Sequence, residues 1–63
     1  MVTKVLYIDP EHKDEFYHVT DQIMMNFPCF MSAQPVEMDW DEVTIQCREE
    51  DAAAIEKQIA PFV

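Results

Sequence analysis

The chain opens on a run of adjacent apolar residues rather than on an alternating pattern. Val5, Leu6, Tyr7 and Ile8 follow one another without a polar break, in a segment rich in β-branched and aromatic residues that starts at Val2. Such a run is typical of a strand that is covered on both faces. We therefore predict a central strand from Val2 to Ile8.

A helical period follows this strand. Asp9, Pro10 and Glu11 offer an N-cap, a proline at the first helical position and an acid in the first turn, which predicts a helix that begins at Pro10. Apolar residues then recur three or four positions apart, with Thr20 on the same stripe: Phe16, Val19, Ile23 and Phe27. We expect Asn26 to cap this helix in the left-handed conformation, because Pro28 prevents its continuation.

The period changes to two after Cys29. Val36 and Met38 alternate with acids, and the alternation returns at Val43, Ile45 and Cys47. This pattern predicts two strands joined by a turn.

The turn between these strands is predicted at residues 39–42. It contains neither Asn-Gly nor Asp-Gly, so we expect a loop of three to five residues rather than a tight primed turn. Pro35 has no N–H to donate, so the first of the two strands should be an outer strand that begins irregularly between Met31 and Ala33.

A second helix is predicted after these strands. Residues 49–51 are all acidic and supply a cap and an acidic first turn. Ile55 and Ile59 lie four positions apart and should face inward, and Pro61 ends the helix.

These elements form one α+β domain over residues 1–63, in the order β-α-β-β-α. This is the order of a ferredoxin-like fold that lacks its last strand, and it predicts a three-stranded antiparallel or mixed sheet with two helices on one face. We expect the first and third strands to lie side by side and parallel, with an open edge on the first strand. Either Phe62 and Val63 return to cover that edge, or a second copy or another protein adds a strand there.

The layout resembles that of heavy-metal-associated domains, in which a CxxC pair at the start of the first helix holds a metal. The corresponding loop here reads Asp9-Pro10-Glu11-His12. The resemblance therefore covers the order of elements, and it implies no metal ligand at these positions.

The charge of the chain indicates which partners it can bind. Thirteen acidic residues against four basic ones give a net charge of −9. Such a chain repels phosphate backbones and anionic membranes, so we expect it to bind neither, whereas a basic protein surface is attracted over about 8 Å at physiological salt. With 49% hydrophobic residues, the charge belongs to a folded body rather than to a disordered tail.

The start of the chain and its cysteines indicate a compartment. Met1 to Val5 lacks a signal-peptide pattern, no apolar run approaches about 20 residues, and Cys29 and Cys47 are too few for a disulfide scaffold. We expect a cytoplasmic protein with two reduced thiols.

Several chemistries are excluded by residue type and spacing. Glycine is absent, so neither a Walker loop nor a dinucleotide fingerprint can be built, and no cofactor is expected. All acids except Asp21 and Glu56 fall in a predicted turn or helix start, where a raised carboxyl pKa is not expected. The spacing of Asp9, Glu11 and His12 matches no calcium loop. Cys47 alternates with Val43 and Ile45 towards the core and Cys29 lies in an apolar run, so we expect neither to be a nucleophile. We expect no catalytic and no metal site.

The candidate partner-binding residues are acids gathered by the predicted topology. Parallel pairing of the first and third strands would place two acidic groups at one pole: Asp9, Glu11, Asp14 and Glu15 with Glu49, Glu50 and Asp51. The hairpin turn would carry four more acids at the other end of the sheet, Glu37, Asp39, Asp41 and Glu42. Of these, Asp39 and Asp41 are candidates. Helix macrodipoles and turn solvation explain each acid by itself, but they do not explain the shortage of lysines beside them.

Apolar candidates complete the set. Methionine and phenylalanine are concentrated after the first helix, as in adaptable contact surfaces: Met24, Met25, Phe30 and Met31. The alternative is that Phe27 and Phe30 only close the core. Trp40 is a candidate interface anchor within an acidic turn.

The sequence thus favours a small acidic protein-interaction module. Its expected partner is a basic or nucleic-acid-handling protein, and one form of this function is an inhibitor that mimics the negative surface of DNA. Two alternatives stay open, a homo-oligomeric ferredoxin-like domain that dimerises through the first-strand edge and a degenerate metal-binding domain.

Overall fold

The computed structural model describes residues 1–62 and has the predicted β-α-β-β-α order. The regular elements are β1 (Val2–Ile8), α1 (Lys13–Asn26), β2 (Cys29–Pro35), β3 (Asp41–Cys47) and α2 (Glu49–Ile59). Short 3-10 turns occupy Pro10–His12 and Ala60–Phe62, and a tight turn with left-handed backbone occupies Glu37–Asp39. No helix in the described part of the chain is long and apolar enough to cross a membrane.

The sheet has the order β1-β3-β2 and is antiparallel throughout. Val2 lies opposite Cys47, and Ile8 lies opposite Asp41. The predicted parallel pairing of the first and third strands is therefore wrong. The crossover through α1 makes β2 run in the same direction as β1, and the hairpin then inserts β3 between them, antiparallel to both.

Both helices contribute to one core on a single face of the sheet. Its buried apolar residues come from alternate strand positions and from the two helix stripes: Leu6, Ile8, Phe16, Ile23, Val43, Ile45, Cys47, Ile55 and Ile59. Thr20 is buried on the α1 stripe, and its hydroxyl donates a hydrogen bond to the carbonyl of Tyr17. The helical periods thus identified the inward faces correctly.

The other face of the sheet is covered by no element of residues 1–62. Val5 and Tyr7 of β1 are each 54% exposed there. The prediction that β1 is a central strand covered on both faces is wrong, because half of its apolar run points to this uncovered face. The central strand is β3, and β2 is an outer strand, as its proline predicted. It ends at Pro35, before the residues that were predicted to continue it.

The hairpin turn lies nearer the start of the chain than predicted. Val36 and Met38 belong to the turn rather than to a strand, and β2 already begins at Cys29. The N–H of Val36 donates to the carbonyl of Trp40 at 2.8 Å, and the N–H of Trp40 donates to the carbonyl of Glu37 at 3.2 Å. The loop of residues 36–40 has the predicted length of three to five residues. Met38 and Asp39 have φ of 58° and 65°, so the loop contains the primed type of turn that was not expected without glycine.

The end of α1 also differs from the prediction. Asn26 is still helical, and Phe27 follows in an extended conformation. The Asn26 side chain donates to the carbonyl of Gln22 at 2.9 Å, so it caps the helix through its amide and not through a left-handed backbone.

The end of the chain does not form a strand as far as it is described. Phe62 lies in a 3-10 turn, and its ring packs edge-on against Phe16 with centroids 5.2 Å apart. Its predicted return along the edge of β1 is wrong, because the ring is drawn to the core beneath α1. Val63 lies outside the described residues.

Candidate functional site

The antiparallel sheet gathers the acidic segments differently from the predicted arrangement. Ile8 at the end of β1 pairs with Asp41 at the start of β3, and Pro35 at the end of β2 pairs with the same residue. Residues 9–15 and 36–42 therefore lie together at one end of the sheet, which we call the hairpin pole. Residues 48–51 follow the other end of β3, and we call them the opposite pole. The predicted grouping of residues 9–15 with residues 49–51 is wrong.

This rearrangement concentrates the charge. Residues 9–15 carry four acids and Lys13, a net −3, and residues 36–42 carry four acids and no base, a net −4. The hairpin pole thus holds −7 of the total −9, while Arg48 and three acids leave −2 at the opposite pole. The strands that separate the poles are about 20 Å long at a rise of about 3.4 Å per residue. Because that is more than two Debye lengths, an approaching molecule responds to each pole separately.

Asp9 and Asp41 are the acids of the hairpin pole that stabilise the fold. The N–H of His12 donates to Asp9 Oδ1 at 3.0 Å, and His12 Nδ1 lies 2.7 Å from the same oxygen. Burial alone would raise the pKa of Asp9, but these hydrogen bonds lower it. Asp9 is therefore a cap, as predicted, but it caps the 3-10 turn at Pro10–His12. The α-helix that was predicted to begin at Pro10 begins at Lys13.

Asp41 joins the hairpin to α1. The Tyr17 hydroxyl donates to Asp41 Oδ2 at 2.7 Å, and Lys13 Nζ lies 3.4 Å from Asp41 Oδ1. The bond from Tyr17 and the charge of Lys13 lower the pKa of Asp41. Burial together with the carboxylate raises the pKa of Tyr17 to about 12.

Five further acids of the hairpin pole are exposed, and their carboxylates make no hydrogen bond or ion pair with any residue between 1 and 62. They are Glu11, Asp14, Glu15, Glu37 and Asp39. Those in α1 and the turn before it benefit from the helix dipole. Glu37 and Asp39 lie in the hairpin turn, where no α-helix begins, so no helix dipole favours them.

At the opposite pole the acids are largely satisfied by Arg48. Its Nε donates to Asp51 Oδ2 at 2.9 Å, and its Nη1 lies 3.1 Å from Glu50 Oε1. The bond to Asp51 raises the pKa of Arg48. Asp51 is only 9% exposed, so this predicted partner-binding residue acts in the fold, whereas Glu49 and Glu50 are exposed.

A shallow and largely open groove lies on the uncovered sheet face at the hairpin pole, with about 860 Å³ of open space above it. We call it the hairpin groove, and its lining residues are Tyr7, Val36, Glu37, Met38, Trp40 and Glu42. Glu42 is held in place there: the Tyr7 hydroxyl donates to its Oε2 at 3.3 Å, and the Gln34 amide donates to its Oε1 at 3.0 Å.

Trp40 was the part of this groove that the sequence indicated. Tyr7 was missed as a functional residue because its place depends on the register that sets it opposite Glu42. Alternation along β3 puts residues 40, 42, 44 and 46 on one face. The antiparallel register would therefore have linked Tyr7 to Trp40.

The methionine- and phenylalanine-rich segment is divided by the fold. Met25 is 85% exposed at the end of α1, beside Met24. Phe30 is 70% exposed on the uncovered sheet face, while Phe27 and Met31 pack against the core. Phe27 thus closes the core, Phe30 does not, and the four candidates do not share one face.

The cysteines face each other across neighbouring strands. Cys29 and Cys47 are partners in the register of β2 and β3, and no disulfide joins them. Burial, then the neighbouring Cys47 and Asp51, raise the pKa of Cys29, which opposes formation of a thiolate. Among residues 1–62, no three His, Cys, Asp or Glu side chains cluster closely enough to hold a metal ion.

Comparison with known proteins finds no matching protein-family model, no matching curated protein and no matching solved structure.

Proposed function

We propose that this chain is an acidic protein-interaction module whose hairpin pole binds a basic protein surface. The observation that carries the proposal is the placement of −7 of the −9 net charge at one end of the sheet. Such a concentration of negative charge attracts a positively charged partner as it diffuses towards this end of the sheet. It therefore favours a partner whose surface potential is positive.

Fold stability alone is a poor explanation for this pole. Glu37 and Asp39 are exposed and cap no α-helix, and their carboxylates bond to no residue in the described part of the chain. Four like charges within six residues repel one another, so folding gains nothing from them as a group. A role outside the fold accounts for their number.

Nucleic-acid-handling proteins are the partner class that we propose. Their basic surfaces neutralise phosphate charge, and a compact body with −7 at one end offers the same sign of charge. The module would then inhibit such a partner by occupying its nucleic-acid surface.

A homodimer is the second candidate. Within residues 1–62, β1 pairs only with β3, and we propose that this edge is the one that the last strand of a ferredoxin-like fold would occupy. A second copy could add a strand there. The net charge of −9 per chain opposes such a dimer, and light scattering that gives a monomer mass at high protein concentration would eliminate it.

The proposed function is tested by capture from the native host with two variants of equal net charge. The hairpin-pole variant replaces four acids: Glu11→Gln, Asp14→Asn, Glu37→Gln and Asp39→Asn. The control variant replaces four acids elsewhere: Asp21→Asn, Glu49→Gln, Glu50→Gln and Glu56→Gln. Each variant carries −5, so their difference reports position rather than total charge.

We expect the wild-type and control chains to capture the same basic protein at low salt and to release it as salt rises. The hairpin-pole variant should lose it. Equal capture by both variants, or capture that high salt does not weaken, would reject the proposal.

A further inference from the structure

We propose that the hairpin groove receives an arginine or lysine side chain of the partner, held between Tyr7 and Trp40 and beside Glu37 and Glu42. This inference rests on the proposed function and specifies where the basic surface makes contact. It makes the groove the centre of the interface and the other acids of the pole its rim.

Charge complementarity selects this occupant. Glu37 and Glu42 are the charged residues among the six that line the groove, and both are acids. Lys13, the one lysine of the hairpin pole, is engaged with Asp41. A cationic side chain would therefore meet two carboxylates and no competing cation among the lining residues.

The apolar lining suits the same occupant. Aromatic rings attract a cation placed over their faces, and arginine stacks on them through its planar guanidinium. Val36 and Met38 offer apolar surface to the aliphatic stem of the side chain. Glu42 keeps lone pairs for a further donor, because a carboxylate accepts about four hydrogen bonds and receives two here.

Met38 has no evident role in folding. It is 84% exposed, and its φ of 58° is a conformation that glycine adopts more easily. The fold thus carries a large apolar side chain at the tip of a turn without burying it. A contact with a partner would give that side chain a use.

The groove can be tested directly because Trp40 is the one tryptophan of the chain. Its fluorescence is followed while the acetylated and amidated peptide Gly-Arg-Gly-Arg-Gly is added. The matched probe replaces arginine by citrulline, which has nearly the same shape but no charge. We expect a saturable change in Trp40 emission with the arginine peptide, and at least a threefold weaker response with citrulline.

Two double variants with the same change in charge locate the carboxylates. We expect the double variant Glu37→Gln and Glu42→Gln to bind the arginine peptide about fivefold more weakly, which is the upper range for exposed charge pairs. The double variant Glu49→Gln and Glu50→Gln should change the affinity for the same peptide by less than about 1.5-fold. Circular dichroism checks that each variant is folded, and the comparison of the two peptides on the wild-type chain needs no variant.

Four results would overturn the inference. The first is a citrulline peptide that binds as tightly as the arginine peptide, and the second is an equal loss of binding in the two double variants. The third is a Trp40 emission that does not respond to the arginine peptide. The fourth is a Trp40 emission that changes with protein concentration alone, because this would indicate a second copy as the occupant. The proposed function fails separately, since it depends on the capture experiment. If the hairpin-pole variant loses capture but Trp40 emission does not respond to the arginine peptide, the groove is rejected as the contact site. The proposal that the acidic pole binds a basic partner then still stands.

Discussion

The two poles of this protein use acidic residues in opposite ways. At the opposite pole, Arg48 binds Asp51 and Glu50, and the acids there start a helix. At the hairpin pole, five acids are exposed without a partner between residues 1 and 62, beside a groove that contains Trp40 and an outward-facing Met38. The difference separates charge that the fold needs from charge that it only tolerates. Substitution of Asp51 at the opposite pole should therefore act on stability, and substitution of the five exposed acids at the hairpin pole should act on binding.

The largest effect is expected for Asp51→Ala at the opposite pole. Asp51 is 9% exposed and accepts from Arg48 at 2.9 Å, and a hydrogen bond to a charged group contributes about 2 kcal/mol. We expect the free energy of unfolding to fall by about that amount in urea titrations. Asp39→Ala at the hairpin pole should leave it nearly unchanged, and an equal loss in the two variants would erase the distinction between the poles.

A smaller effect is expected for Tyr17→Phe, which tests the bond between α1 and the hairpin. Loss of its hydroxyl should cost about 1 kcal/mol, which lowers Tm by about 4 to 8 °C in a domain of this size. Tyr7→Phe is the matched control, because its bond to Glu42 is longer, at 3.3 Å, and exposed. Thermal unfolding of the two variants should differ clearly, and similar Tm values would contradict the assignment.

The same tyrosine predicts an alkaline limit of stability. Its pKa is raised to about 12 in the folded chain, against about 10 when unfolded. The stabilisation is therefore complete below pH 10 and is lost as the pH rises from 10 to 12. Unfolding free energies measured across this window should fall more steeply for the wild-type chain than for Tyr17→Phe. Parallel curves would show that Tyr17 does not carry this dependence.

Met38→Gly should have the smallest effect on stability and the opposite sign. Glycine removes the cost of the left-handed conformation at this position, but it also increases the conformational entropy of the unfolded chain. We expect a net gain of about 0.5 to 1 kcal/mol in the free energy of unfolding. The same variant should bind the arginine peptide more weakly, because the groove loses an apolar wall. A loss of stability, or unchanged peptide binding, would show that Met38 serves the fold.

The sequence predicted what depends on local periodicity. The stripes that contain Phe16, Ile23, Ile55 and Ile59 repeat every three or four residues, and all four are buried. Strand direction could not be obtained this way, because it depends on which strand the crossover through α1 reaches. The alternation of Val36 and Met38 was misleading, since a turn without glycine has no local signal that distinguishes it from a strand.

The candidate site was predicted in its residues more than in its shape. The acids and Trp40 were identified from composition and from their place in a turn. Their assembly was not, because the partners of Trp40 come from residues 7 and 36–42, and only the antiparallel register brings Tyr7 to Glu42. The corrected direction of β3 moved Glu49 and Glu50 away from Asp9 and made the charge at the hairpin pole more concentrated.

The most direct test of the acidic pole is a nuclear magnetic resonance titration of the labelled chain with the Gly-Arg-Gly-Arg-Gly peptide. Backbone amide shifts report contact at each residue, so both poles are measured in one experiment. We expect the largest shifts in residues 9–15 and 36–42, and weaker ones in residues 48–51. Shifts that are equal at the two poles, or larger in residues 48–51, would contradict the account.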